Sequence, residues 1–349
     1  MSILYVTDQG ASLVKRGNRL VVEKARKTIY WVHAFKVSQV VVMGNISISP
    51  ATIAFLLQDG IDTVFMSIHG RYRGRLISQF GKNIDLRRAQ FKKMEDEKIK
   101  IALAKTYIQG KLNNCRVLLR RYNRELRQDG VTSALHQIRI MSRRVPEAES
   151  VESLMGLEGK SAAVYFGCFG KLIKVNDIVF EGRNRRPPRD PVNVLLSLGY
   201  TLLANAIQTQ VHVVGLDPYL GCLHGVEYGR PSLILDLMEE FRPVLVDSLV
   251  LTLINKKIIQ VMDFYRPDER EPAAFDFAEE DTQRKEYPIL LAHGGMKKFI
   301  THFEGRLNQK VLYSPNGKRL RYRDVCLEQV RLLARHLRDE DEYKPYVMR

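Results

Sequence analysis

Short apolar runs alternate with turn residues through the first eighty positions. Ile3–Val6 is one such run. Leu13-Val14 and Leu20-Val21-Val22 flank Gly17-Asn18, the spacing of two strands joined by a tight hairpin. Val, Ile, Tyr and Trp dominate from Thr28 to Met43, residues that suit a pleated, half-buried surface. Ala51–Leu57, closed by Asp59-Gly60, predicts one short helix. Asp62–Ser67 returns to strand, and His69-Gly70-Arg71 turns the chain into Leu76-Ile77.

The pattern changes near Lys82. Between Asp85 and Arg127 only Gly110 interrupts a stretch rich in Leu, Ala, Lys, Arg, Glu and Gln, which predicts long helices. Further helical segments run over Ser133–Arg144, Ala148–Ile173, Asp190–Val213, Ser232–Lys257 (broken near Pro243), Met296–Gln309 and Arg323–Arg338. Pro267–Asp281 is acidic and proline-punctuated, and reads as a mobile loop. The predicted class is α+β in two domains: a small β-rich domain over 1–85, then a larger all-helical domain over 86–349. No repeat of fixed period occurs.

Charge adds a partner class. Lys and Arg number 55 against 39 Asp and Glu, a net charge of +16. Such an excess points to a polyanion, nucleic acid before an anionic membrane. Arg116, Arg120, Arg124 and Arg127 share one helical face, Arg139, Arg143 and Arg144 follow, and a loop carries Arg183, Arg185, Arg186 and Arg189. Arginine pairs bidentately with phosphate, so these clusters are expected to hold a DNA backbone rather than form a merely solvated face. Cys115, Cys168, Cys222 and Cys326 lie too far apart for a CxxC motif and read as reduced thiols of a cytoplasmic protein. Neither a signal peptide nor an uninterrupted membrane-length apolar run is visible.

Candidate chemistry gathers in two segments. In Ser232–Glu240, Asp236 and Glu239 stand one helical turn apart among Leu233, Leu235, Leu237 and Met238. Part of this helix must be buried, and a buried carboxylate needs a cation, from Arg, Lys or a metal. His224 lies just upstream in a glycine-flanked loop; imidazole with carboxylates suits Mn²⁺, and carboxylates with water suit Mg²⁺. Glu158 interrupts an otherwise apolar and small segment, with Tyr165 seven residues on and nearly on the same face. Spacing alone does not separate a metal site from a surface acidic pair, a structural histidine and a glutamate paired with arginine.

Four segments in order carry a resemblance: Gly156-Leu157-Glu158-Gly159, then Arg189–Tyr200, then Gly215-Leu216-Asp217-Pro218 with Leu223-His224, then Ser232–Pro243. Together they resemble the universal CRISPR-associated integrase of spacer acquisition, over nearly the whole chain. The resemblance implies a metal-dependent DNA endonuclease and integrase. It also implies a homodimer paired through the N-terminal domains, a small companion subunit, and insertion of foreign DNA into the CRISPR array. It assigns Glu158, His224 and Glu239 as ligands of Mg²⁺ or Mn²⁺. Asp236 joins the catalytic set one turn before the last ligand, orienting a ligand or a bound water. Two other readings stand beside this one: a stand-alone nuclease for branched or single-stranded nucleic acid, and a non-catalytic DNA-binding scaffold whose acids pair with arginines. A membrane-surface protein fits less well, because no basic amphipathic helix with an aromatic face stands out.

Overall fold

The computed structural model describes residues 2–78, 81, 83–184, 188–225, 227–267, 289–315 and 317–348. Two compact units result, Met1–Gly81 and Lys82–Arg349.

The first unit holds two four-stranded sheets. β1 (Ser2–Val6), β5 (Val37–Met43) and β7 (Asp62–Met66) lie parallel, with β8 (Tyr72–Leu76) antiparallel at the edge, in the order β1-β5-β7-β8. α1 (Pro50–Gln58) lies in the crossover from β5 to β7, the kind of connection parallel strands require. Ser49 caps its first turn by accepting from Thr52 N, and Pro50 opens it. The second sheet runs β4 (Lys27–His33), β3 (Arg19–Lys24), β2 (Ser12–Arg16), β6 (Ser47–Ile48). Leu4, Val6, Leu13, Leu20, Val22, Val40, Val42 and Leu56 form one core from both sheets and α1. The expected hairpin pairs Arg16 with Arg19, and Gly17 takes φ +56°, which the first position of a II′ turn needs. A second tight turn joins Lys24 to Lys27 through Ala25 (φ 49°) and Arg26 (φ 64°), where neither residue favours the left-handed region.

The second unit is built from α2 (Ile84–Glu95), α3 (Glu97–Leu126), α4 (Asp129–Arg144), α5 (Val151–Phe169), α6 (Pro191–Val214), α7 (Ser232–Met238), α8 (Ser248–Asn255), α9 (His293–Asn308) and α10 (Tyr322–Leu337). It is not all-helical. β9 (Phe264–Tyr265) pairs with β10 (Leu290–Leu291), and β11 (Lys310–Tyr313) pairs with β12 (Lys318–Arg321). Strands two to four residues long are too short to show a period-2 signal, so neither strand pair is visible in the pattern. Apart from Pro267, the acidic stretch over 267–281 lies outside the described residues.

Three features of this unit position the site. α3 is thirty residues long, packs against α4 and α5, and buries Leu103, Tyr107, Leu112, Cys115 and Leu119. Asp190 caps α6 by accepting from Asn193 N. The helix expected over 232–257 breaks where Pro243 has no N–H to donate, and Arg242–Asp247 winds as a π-helix between α7 and α8.

Replacing Ala25-Arg26 by Asn-Gly puts residues that accept positive φ into the β3–β4 turn. The change is expected to raise stability by about 0.5–2 kcal/mol, read as a higher midpoint in denaturant melts.

Candidate active site

Lys111 is the centre of the site. It sits on the buried stripe of α3, one turn after Tyr107 and one before Cys115. Its ammonium bonds Glu158 of α5 and lies 2.5 Å from Glu239 Oε2, at the end of α7. Glu239 is also 3.2 Å from the Arg242 guanidinium, and its Oε1 is 3.9 Å from His224 Nε2. Burial opposes the charge on Glu239, but Arg242, Lys111 and His224 outweigh it and hold the carboxyl down at about 2. Burial likewise disfavours the Lys111 charge, and Glu239 and Glu158 more than compensate, raising its pKa. The side chains of Glu158 and His224 keep 27% and 17% of their surface in contact with solvent, while Glu239 keeps 3%. One side of the group is therefore open and the other closed.

Asp236 fixes the histidine. Its carboxylate, fully buried, accepts from the backbone N–H groups of Cys222 (2.6 Å), Leu223 (3.0 Å) and His224 (2.9 Å). The same carboxylate meets His224 Nδ1 at 2.7 Å. With Nδ1–H donated there, the lone pair lies on Nε2, the atom nearest Glu239. Gly221 makes the wrap possible: a Cβ there would stand 2.6 Å from Asp236 Oδ2.

Next to Lys111 a narrow slot of about 30 Å³ is lined by Glu158, Tyr165, Arg183, Tyr200, Arg242 and Asp247, among others. Tyr200 and Tyr165 donate their hydroxyls to the two oxygens of Asp247, at 2.6 and 2.9 Å. Burial pushes Asp247 up to about 6 despite these bonds and the nearby Arg242 and Lys111. The Arg183 and Arg242 guanidinium groups lie 5.5 and 5.0 Å from the Tyr200 ring centre.

Four sequence-predicted residues thus converge: Glu158, His224, Asp236 and Glu239. Sequence reasoning singled out Tyr165 but missed Lys111, Arg242 and the partners of Tyr165, Asp247 and Tyr200. A lysine at an apolar-stripe position of α3 was the available signal, since a cation placed inward implies buried acids. Among the described residues no three His, Cys, Asp or Glu side chains close on one point as metal ligands. The ammonium of Lys111 stands between the two glutamates instead. The donor set, an imidazole with a free Nε2 beside two carboxylates, fits a hard divalent cation. Glu239 Oε2, buried and accepting no hydrogen bond of proper angle although Lys111 is near, has capacity for one.

The predicted basic residues divide. Arg116 and Arg120 of α3 stand near Arg139 and Arg143 of α4. Burial and then these three like charges lower the Arg116 pKa, and its buried Nε has no partner. Arg124 lies in the last turn of α3, and Arg127 caps it in the left-handed region. Arg183 turns inward instead, donating to Asn193 Oδ1 (2.7 Å) and Ser197 Oγ (3.1 Å). Arg189 is exposed, and Arg185 and Arg186 lie outside the described residues. All four cysteines are buried and unpaired. No helix among the described residues is long and apolar enough to cross a membrane.

Residues 4–305 match the family described as CRISPR associated protein Cas1. The chain belongs to that family. It is 37% identical over 352 residues to CRISPR-associated endonuclease Cas1 3 of Thermus thermophilus, spanning 100% of this chain and 98% of the relative. Its fold is similar to that of a casposase bound to integration product (TM-score 0.80, 22% identity, 99% of this chain and 93% of the other). It is similar also to a chain of a Cas6-RT-Cas1–Cas2 complex (TM-score 0.83, 22% identity), matching 99% of this chain and 36% of that longer one. At these identities the structural likeness concerns the fold.

The stability that Asp247 contributes is expected to depend on pH. Its folded pKa is raised to about 6 from an ordinary value of 3.8. Its contribution is full below about pH 3.8 and is lost as pH rises through about 6. Asp247→Asn should therefore gain on the wild type by up to about 3 kcal/mol over that window. Melting both proteins from acid to neutral pH checks the sign.

Proposed function

We propose that this Cas1-family chain is a metal-dependent DNA endonuclease and integrase, acting in the cytoplasm, that inserts foreign DNA into a CRISPR array. The observation that carries the reading is the convergence of three separate segments: Glu158 and Glu239 meet at Lys111, and His224 Nε2 lies 3.9 Å from Glu239 Oε1. The relative's name supports an endonuclease, and the casposase title supports strand joining on the same fold.

Joining DNA needs in-line attack by a 3′-OH on a phosphodiester, with a 3′-oxygen leaving and no covalent enzyme intermediate. Water in place of the 3′-OH makes the same site a nuclease. Glu158, His224 and Glu239 would hold Mg²⁺ or Mn²⁺, which supplies polarisation of the phosphoryl oxygen and stabilisation of the attacking or leaving oxygen. Asp236 keeps His224 in the tautomer whose Nε2 is free to bind. Lys111 and Arg242 hold Glu239 in the ionised state that such a cation needs. Arg116, Arg120, Arg139 and Arg143 repel one another, and backbone phosphates would relieve that repulsion.

The strand-rich unit would pair two copies. β4 is an edge strand that exposes Ile29 and Trp31, with Phe35 exposed just after it. Such an edge calls for cover. The Cas1–Cas2 title supports a small companion subunit as partner.

Glu158→Ala, His224→Ala and Glu239→Ala should each reduce strand transfer and cleavage by about 10²–10³-fold. Asp236→Asn should fall less, about 10–100-fold. A labelled 3′-OH duplex, CRISPR-array DNA, Mn²⁺ and the companion subunit provide the assay. Near-wild-type transfer by Glu239→Ala would sink the reading.

DNA affinity should fall with salt at about −0.9 log units per log unit for each phosphate neutralised. Replacing Arg116 and Arg120 by Gln should flatten that slope by roughly one to two units. Titrations at several salt concentrations measure it, and an unchanged slope would mean that this face is only solvated.

A further inference from the structure

The family match stops at residue 305, yet the segment Tyr343–Met348 is tied directly to both elements that meet at the centre of the site. On the α7 side, Glu239 faces Lys111 while its neighbours face the segment. The Glu240 carboxylate, fully buried, accepts from Tyr346 N (2.8 Å), Tyr343 Oη (3.1 Å) and Gln329 Nε2 (3.0 Å). Phe241 stacks on Tyr346 at 5.6 Å between ring centres. On the α3 side, Lys111 faces the glutamates while Gly110 and Asn114 face the segment. Asn114 Nδ2 donates to both Glu240 O (2.7 Å) and Tyr346 O (2.8 Å), and Met348 N donates to Asn114 Oδ1 (2.7 Å). Pro345 fits only because residue 110 is glycine, where a Cβ would stand 2.6 Å from Pro345 Cβ.

Local structure does not hold Glu239 by itself. Past Met238 the α-helical ladder gives way to three-residue hydrogen bonds, Glu239 N to Asp236 O and Phe241 N to Met238 O, before the π-helix begins. A backbone so loosely specified takes its place from what grips it, and the grip comes from Asn114 and the segment. We infer that Tyr343–Met348, held through Glu240 and Asn114, is a positioning strap that sets the distance between Glu239 and Lys111. Its residues touch no reacting atom and act through those two. The inference rests on the proposed reaction.

Two variants disturb the strap from opposite sides. Gly110→Ala forces Pro345 away. Glu240→Ala removes the acceptor shared by Tyr346 N, Tyr343 Oη and Gln329 Nε2. The readouts are the maximal single-turnover rate of strand transfer and the DNA concentration that gives half of it. A control of similar melting loss comes from Ile300→Ala on α9. Both strap variants should lower the maximal rate by about 10–100-fold, the cost of misplacing a reacting group, with the half-saturating DNA concentration within about twofold. The control should keep its rate. Tyr343→Phe, which removes one donor only, should fall between the strap variants and wild type, and serves if either of those does not fold. Rates equal to the control at equal melting loss would overturn the strap. If Glu239→Ala is itself active, the proposed reaction fails instead, and the two failures are told apart.

Discussion

A single buried ammonium organises this molecule's site. Glu158 and Glu239 come from helices eighty positions apart, and both turn toward Lys111 on a third helix. Two carboxylates do not share a poorly solvated space without a cation between them. Removing one partner from such a group leaves an uncompensated charge, at a cost of about 3–5 kcal/mol. The packing of α3 against α5 and the seating of α7 are therefore bound to the placement of charge at the site. With Arg242, the same ammonium holds Glu239 ionised, the state that a divalent cation requires.

Around that centre a second layer uses buried carboxylates as acceptors. Asp236 gathers three consecutive backbone N–H groups and one imidazole, converting a glycine-flanked loop into a rigid mount for His224. Asp247 gathers two tyrosine hydroxyls from α5 and α6. Glu240 gathers a backbone N–H, a hydroxyl and an amide, and burial pushes it up to about 8 despite these bonds. Each acceptor lies in the stretch from Asp236 to Asp247, which leaves the α-helix, turns through Pro243 and winds wide. The carboxylates of Asp236, Glu239, Glu240 and Asp247 reach different partners there because the backbone departs from one regular helix.

Charge divides the same unit between inside and outside. Lys111, Arg183 and Arg242 are matched with acids, amides or an aromatic ring. Arg116 crowds like charges instead, those of Arg120, Arg139 and Arg143. Inner cations answer charge within the protein, and this outer group has its own kind for neighbours.

Much was legible in the chain itself, because the deciding physics was local. Period and punctuation placed the hairpin at Gly17-Asn18, the long helices after residue 82, the helical segment from Asp190 and the break at Pro243, since each depends on a few neighbouring dihedrals and hydrogen bonds. Glu158, His224, Asp236 and Glu239 stood out as polar residues in apolar or glycine-rich settings, and the resemblance gave them roles. Two short strand pairs stayed hidden because two to four residues cannot display a period. Tertiary structure alone decided that Lys111 belongs with the glutamates and that Arg183 turns inward. It alone decided that Asp247 draws together two tyrosines and that a segment near residue 345 lies beneath residue 110. These pairings join positions tens to hundreds of residues apart. Their energy comes from burial and charge compensation, which exist only once the helices have met.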